Sequence, residues 1–437
     1  MQAMQPFDFI VSLWGERYRN YFVDRCLPTL LAEGNFPVLR ASEGHRLLIA
    51  TTQADWQAMT DLPVMQRVRE FVTPQFFEVA IPEAGDAAPG GEEVIRHHAK
   101  CQKQLCEVAF RDRAYGSVVF PDTLYSTGAV AALLRYARAG HRLVLCAALR
   151  QIEESVLAEL DSTGILPLGS KPSLTGQALS IPPRQMADLA VRHLHPEVVV
   201  YDWDYISSPP LSAHRFWRVP GRRGLILRTF YGLPVLMDYR AIETHNTECL
   251  DRDIFENVYV RSNFAECGGL HVVQDSDDFM LISLTPEAVG EHHAPTLLPR
   301  SPWLHDLDRE SSLRASMHYF VGRTDDGLKG ALFNCPMYWH SDDLDETWTK
   351  RNRQISQLLR RVNGDYGSGC QAAQISYPRW LSIRPRRLLG DLYYYGVVPS
   401  THVVLRGVAM IADAVTGRNG AWSRLWSAIR RRVTPAS

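Results

Sequence analysis

Four places in the sequence bring together residue types that can handle a charged, hydroxyl-rich ligand. The stretch SVVFPDTLYSTG (117–128) passes from apolar residues suited to a buried strand into Pro121 and Asp122, and then into Ser126-Thr127-Gly128. Trp14-Gly15 (with Arg17 just beyond), Thr51-Thr52 and Arg150 each follow an apolar run of the same kind. If those runs are strands of one sheet, their carboxyl ends gather an indole, a glycine, two hydroxyls, a carboxylate and guanidinium groups. A crevice so lined suits a nucleotide. Arg17, Arg150 or the start of the helix at Ser126 would neutralise phosphate, and Asp122 would accept from a ribose or sugar hydroxyl. The plain alternative is that Asp122 is only an acid at a helix N-terminus. The nucleotide reading requires Trp14, Thr51 and Asp122 to converge on one pyrophosphate-sized hollow.

The elements that would position these residues alternate. FDFIVSLWG, HRLLIATT, QFFEVAIP, SVVFPD and HRLVLCAALR read as strands. Between them, helical spacing marks YRNYFVDRCLPTLLAEG, where Pro28 should bend or end the helix. HHAKCQKQLCEVAFRDRAYG has the same spacing. So does STGAVAALLRYARAG, with Ser126 or Thr127 as N-cap and Gly140 at the C-terminal turn. QIEESVLAELD reads as a further helix. Strand–helix alternation predicts an α/β fold: one Rossmann-type, mostly parallel sheet with helices on both faces. Ligands then bind along the edge that carries the strand carboxyl ends.

A Pro/Gly/Ser-rich link (161–184) follows, then a helix ending near His195-Pro196. HRFWRVPGRRGLILRTFYGLPVLMDY reads as two strands around a Pro-Gly turn, and LHVVQDSDDFMLISL as strand, acidic turn, strand. The expected division is 1–290 as the nucleotide-binding domain, 291–400 as an accessory, acceptor-side region forming an α-rich C-terminal extension, and 401–437 as a helical tail.

Residues 1–290 resemble a GT-A type glycosyltransferase, through the opening FIVSLWGERYRNYFVDRCLPTLL and through SVVFPD, a fourth strand ending in an acid where that fold carries Asp-x-Asp. LPTLLAEGNFPVL is also similar to a set of bacterial glycosyltransferase-like proteins. The resemblance implies transfer of a sugar from a nucleoside-diphosphate-sugar donor to a glycan or lipid-linked acceptor in surface-polysaccharide synthesis. Such transfer builds negative charge on the leaving phosphate, which a divalent cation or fixed basic groups must stabilise. Asp122 could hold Mg²⁺ or Mn²⁺, with Asp275 of QDSDD as a second ligand. Here the sequence departs from the pattern, because Thr123 and Leu124 follow Asp122 and no second Asp does. An acceptor hydroxyl must also lose a proton to a carboxylate. Asp251 in CLDRDIF is the candidate, against an N-capped helix over DRDIFENVYV. Asp202-x-Asp204 is a literal Asp-x-Asp, equally readable as a polar strand end. Trp217 and Tyr231 could stack on a sugar face, as could Trp14. Arg228 could meet a phosphate or carboxylate.

Other classes lose support. With a formal charge of −1, there is no overall basic field for nucleic acid. The sequence has no GxxxxGK[ST], HExxH or GxSxG, and no GxGxxG after the first strand. Eight cysteines without CxxC spacing suggest buried free thiols in a reducing compartment. With no secretory leader at the N-terminus, a cytoplasmic location is expected. The tail AWSRLWSAIRRR (421–432) carries Trp422, Leu425, Trp426 and Ile429 on one helical face beside four arginines. It would lie on the inner face of an anionic membrane or dock on its own protein. A non-catalytic nucleotide- or glycan-binding protein on the same fold is the competing function.

Overall fold

The computed structural model describes residues 5–80, 92–205, 212–242, 269–289, 302–317, 320 and 327–363. Asp251, most of the 291–400 region's second half and the whole 401–437 tail, with its segment 421–432, lie outside the described residues.

In chain order the strands are β1 (Phe7–Ser12), β2 (Arg46–Thr51), β3 (Thr73–Glu78), β4 (Tyr115–Val118), β5 (Thr123–Tyr125), β6 (Leu143–Cys146), β7 (Arg150–Ile152), β8 (His214–Arg218), β9 (Gly224–Thr229), β10 (Leu233–Asp238), β11 (Leu270–Val272), β12 (Leu281–Thr285) and β13 (Met337–His340). The helices that matter for the site are α1 (Glu16–Tyr21), α2 (Leu27–Leu30), α3 (Gln53–Thr60), α4 (Pro63–Arg69), α5 (Glu92–Arg111), α6 (Ala129–Arg138), α7 (Glu153–Ser162) and α8 (Pro183–Arg192), followed by α9 (Pro302–Met317), α10 (Gly327–Asn334) and α11 (Glu346–Asn363).

The protein is α/β, with a seven-stranded main sheet in the order β11-β6-β10-β4-β1-β2-β3. Its ladders are parallel except at β10, which runs antiparallel to both β4 and β6. Alternation along β1 accounts for the two layers of helices. Ile10 faces a core with Leu105, Cys106 and Ala109 of α5, while Phe7, Phe9 and Val11 face a core with Met65 and Val68 of α4 and Leu133 of α6.

The single-sheet expectation is incomplete. Two smaller sheets, β5-β12-β7 and β13-β9-β8, stand beside the main one. The acidic stretch after β11 is not a hairpin turn, because β11 pairs with β6 in the main sheet while β12 pairs with β5 and β7. The stretch 214–239 contains a third strand, β10, which leaves the β8–β9 ladder and enters the main sheet. Strand β13 pairs with β9, so a ladder crosses the boundary expected at residue 290. Trp217, Phe230, Leu313, Phe333 and Trp348 pack together behind that third sheet.

Pro28 neither ends nor breaks its helix. The five residues Phe22–Cys26 form a π turn between α1 and α2, and Leu27 N–H bonds the Phe22 carbonyl. This widened turn lets the chain carry a proline that cannot donate. The N-cap of α6 is Gly128 rather than Ser126 or Thr127. Asn35 Oδ1 takes the Val130 N–H at 3.0 Å in place of a serine or threonine hydroxyl. Gly140, with φ of +85°, ends the helix as expected. Cys26, Cys101, Cys106 and Cys146 are buried free thiols, whereas Cys335 is disulfide-bonded, which the free-thiol expectation missed. Among the described residues no helix is long and apolar enough to cross a membrane.

Candidate functional site

β1 is flanked by β2 on one side and β4 on the other, so the chain's strand order reverses direction between β1 and β4. A crevice opens at such a point, at the carboxyl ends of the parallel strands. The chain supplies residues there in three ways. After β1, Gly15 adopts φ of +81°, a conformation that suits glycine, and turns the backbone into α1. After β4, Val119 N–H still bonds the Ile10 carbonyl at 2.8 Å. Phe120, Pro121 and Asp122 then lead into β5, where the Asp122 carbonyl accepts from Leu284 N–H at 2.9 Å. Because β10 is antiparallel, the turn that precedes it, Tyr231-Gly232, arrives at the same edge. Thr229 Oγ1 shapes that turn, accepting from Tyr231 N–H at 2.9 Å.

A cavity of about 480 Å³ lies at this edge, lined by Arg17, Tyr18 and Tyr21 of α1, Asp122, Arg150 and Tyr231, with β12 as part of its wall. Four of the residues singled out in the sequence therefore meet there: Arg17, Asp122, Arg150 and Tyr231. Asp122 is half-buried as a residue and lies on the cavity lining. Burial pushes it up to about 6, against the opposing pull of its own backbone N–H, Arg150 and Arg17, and Glu153 adds to the rise. Arg150 projects outward and pairs with Glu197 at 2.7 Å. Arg17 donates to the Tyr21 hydroxyl at 3.0 Å and lies 3.7 Å from Glu153.

The other expected residues are elsewhere. Trp14 packs its ring against His97 and His98 of α5, with ring centroids 5.2 and 6.0 Å away. Thr51 is 0 % exposed, and its hydroxyl has no partner. Neither lines the cavity that holds Asp122, so the expected three-way convergence does not occur. The cause is register. Thr51 is the last residue of β2 and stays inside the ladder with β3, and the Gly15 turn carries the chain away from Trp14.

Thr52 caps α3, its hydroxyl accepting from Asp55 N–H at 3.0 Å and donating to the Asp55 carboxylate at 2.8 Å. Gly15 N–H donates to the same carboxylate at 2.8 Å. Ser126 is fully buried, with its hydroxyl accepting from Met280 N–H. Trp217 is buried in the third sheet and stacked on Trp203. Arg228 is equally buried, and its guanidinium donates to the Asn334 carbonyl and, at 2.7 Å, to Asn352. These two are structural residues of the third sheet rather than sugar or acceptor contacts. Asp202 and Asp204 pair with Arg218 at 2.8 Å and Arg351 at 3.6 Å.

Asp122 does not stand in a cluster of three metal-ligating side chains among the described residues. Among the described residues, the one group of three or more His, Cys, Asp or Glu side chains close enough to share an ion is Asp275, Asp277 and His340. Asp122 is not part of it. Its nearest named charges of opposite sign are Arg17 and Arg150. Asp275, the second ligand expected, stands with Asp277 and His340 after β11, three strands from β4 in the main sheet.

Sequence reasoning missed a second cavity and the residues that separate it from the first. This cavity, of about 570 Å³, is lined by Asn20, Asp24, Arg25, Leu157 and the loop Leu166–Lys171, and it shares Arg17, Tyr21 and Pro286 with the first. Glu153, at the start of α7, forms the partition. It accepts from the Tyr21 hydroxyl and pairs with Arg25 at 2.6 Å. Burial and the Glu153 hydrogen bond push the Tyr21 phenol up to about 12. A signal was present: Arg17, Tyr21, Asp24 and Arg25 recur at one-turn spacing, and Glu153 lies three residues beyond Arg150. No family model matches the sequence, and no curated protein matches it.

Proposed function

We propose that the protein is a glycosyltransferase that takes a sugar from a nucleoside-diphosphate-sugar donor in the cavity at the β1/β4 crevice. The observation that carries this reading is the meeting of Arg17, Arg150 and Asp122 around one hollow at the switch point of a largely parallel sheet. Two guanidinium groups suit a diphosphate whose charge grows as the anomeric bond breaks. Asp122 suits a ribose or sugar hydroxyl as hydrogen-bond acceptor, and Tyr231 offers a ring face to a pyranose. The resemblance to GT-A glycosyltransferases adds to this reading through the acid after the fourth strand. The convergence of Trp14, Thr51 and Asp122 required by the sequence reading is absent, so this proposal is a narrower one, with a donor site that rests on the two guanidinium groups and Asp122.

The second cavity, across the Tyr21–Glu153 partition, is where a glycan or lipid-linked acceptor would approach. Asp251 is the proposed acceptor base. Action at the inner membrane face, through 421–432, belongs to the same proposal.

The competing reading is a nucleotide- or glycan-binding protein without catalysis. It draws on one observation, that Asp122 belongs to no group of three or more ion-holding side chains among the described residues. Calorimetry against a panel of nucleoside diphosphates, followed by donor-hydrolysis assays, separates the two. A transferase binds at least one diphosphate and slowly hydrolyses its sugar ester. Arg17→Ala and Arg150→Ala should each weaken that binding about 10- to 100-fold, the loss of one charge-assisted contact. A protein that ignores every diphosphate is neither, and one that binds but never turns over is the binder.

A further inference from the structure

We propose that Asp275, Asp277 and His340 form a binding site for a divalent transition-metal ion of the Zn²⁺ class, which staples the loop after β11 to the end of β13. One carboxylate oxygen from each aspartate and one ring nitrogen of His340 lie within 4.8 Å of one another. An ion about 2.0–2.2 Å from each ligand would draw these atoms closer together.

Acidity alone is not the argument. The His340 ring is 2 % exposed, and its two nitrogens both face acceptors. Nδ1 lies 2.6 Å from the Asp342 carbonyl, an acceptor that fixes a proton on Nδ1. Nε2 lies 2.8 Å from the Asp275 carboxylate, so the ring presents this nitrogen to the second proposed ligand. Without an ion this contact is a His340–Asp275 pair, which a bound metal ion would replace. A histidine whose far nitrogen is fixed by a carbonyl is the usual arrangement behind a metal ligand.

The frame exists without the ion. Ser276 N–H bonds the Tyr338 carbonyl at 3.0 Å, Tyr338 N–H bonds the Gln274 carbonyl at 2.6 Å, and His340 N–H bonds Ser276 Oγ at 3.1 Å. Both ligand-bearing segments are therefore already registered, so binding an ion costs little ordering. The surrounding charge also favours a cation. Asp278, Asp342 and Asp343 add to the two ligand carboxylates, against Arg135, Arg184 and Arg223. Arg184 is the one competitor at the ligands, bonding Asp277 at 3.0 Å and Asp343 at 2.7 Å. One nitrogen and two oxygens, with an open side at Asp277 for water, match Zn²⁺ or its spectroscopic substitute Co²⁺ better than a hard, all-oxygen ion.

The test uses the full chain, stripped with chelator and titrated with ZnCl₂ by calorimetry and with CoCl₂ by visible absorption. The expected result is one equivalent bound, with affinity at least 10-fold weaker in His340→Gln and in Asp275→Asn. Asp277→Asn, at a partly exposed position, serves if the buried substitutions do not fold. Arg184→Ala separates an ion site from a cluster of salt bridges. It should leave metal affinity unchanged or raise it, because it frees Asp277, whereas a cluster held by Arg184 would only lose stability. Sub-stoichiometric binding by the wild-type chain overturns the proposal. So does binding that the His340, Asp275 and Asp277 variants leave untouched, since the ion would then sit elsewhere.

Discussion

Asp122, the carboxylate of the proposed donor site, is held on the cavity wall at a cost to stability. Its carboxyl is held at about 6 in the native state, against an ordinary value near 3.8, so the folded chain keeps the proton longer than the unfolded chain does. Below about pH 4 both states are protonated and burial costs nothing. As pH rises from about 4 to about 6 the native state must accept a buried charge and stability falls, and above that the penalty is constant. Two pKa units correspond to at most about 3 kcal/mol, an upper bound for a residue that is partly exposed on the cavity lining. Asp122→Asn should therefore raise the melting temperature at pH 7, leave it unchanged at pH 4, and abolish donor turnover. Melting curves across that range decide the matter. A variant whose gain over wild type is no larger at pH 7 than at pH 4 would mean that the carboxyl is not strained.

At the scale of elements, α1 is aimed by a residue outside the cavity. Asp55 in the first turn of α3 accepts from Gly15 N–H, the Thr52 hydroxyl and, at 2.9 Å, Arg19. It ties the ends of β1 and β2 to the start of α1, the helix that carries Arg17. Asp55→Ala removes all three contacts and exposes the positive-φ turn at Gly15, for an expected loss of about 2–4 kcal/mol. Diphosphate affinity should fall with it although Asp55 lines neither cavity, and a variant that melts like wild type would show that α1 is held by its packing alone.

The same elements show what the sequence made legible. Apolar runs ending at Ser12, Thr51 and Val118 are visible as strands, and so is the carboxyl edge they share. Side-chain direction at the last strand residue is not, because one step of register turns Thr51 from the crevice into the core. Nor is the partner of β12 visible, since a short apolar run after an acidic loop looks the same whether it returns as a hairpin or crosses to another sheet. Trp217 and Arg228 looked like ligand contacts because aromatic and guanidinium groups serve both binding and packing. Only the burial of the β8–β9 ladder beneath α9–α11 separates the two roles.

Across the whole molecule, two cavities that share Arg17, Tyr21 and Pro286 suggest a bipartite substrate. The second is walled by Leu157, Leu166 and the loop that ends at Lys171, and Leu168 on that loop is 87 % exposed. An apolar side chain held in water beside Arg25 and Lys171 fits an acceptor that is part apolar and part anionic. The two ends can be separated by experiment. In the double variant Leu168→Asp, Lys171→Glu, the melting temperature should stay within about 2 °C of wild type, since both side chains make few buried contacts. Nucleoside-diphosphate affinity and donor hydrolysis, which need only the first cavity, should change less than about twofold. Transfer to acceptors in a membrane extract should fall at least tenfold, a loss of about 1.4 kcal/mol in transition-state binding. If transfer and hydrolysis fall together, the two cavities act as one donor site and the acceptor enters elsewhere. If neither falls, the loop from Leu166 to Lys171 has no part in the reaction.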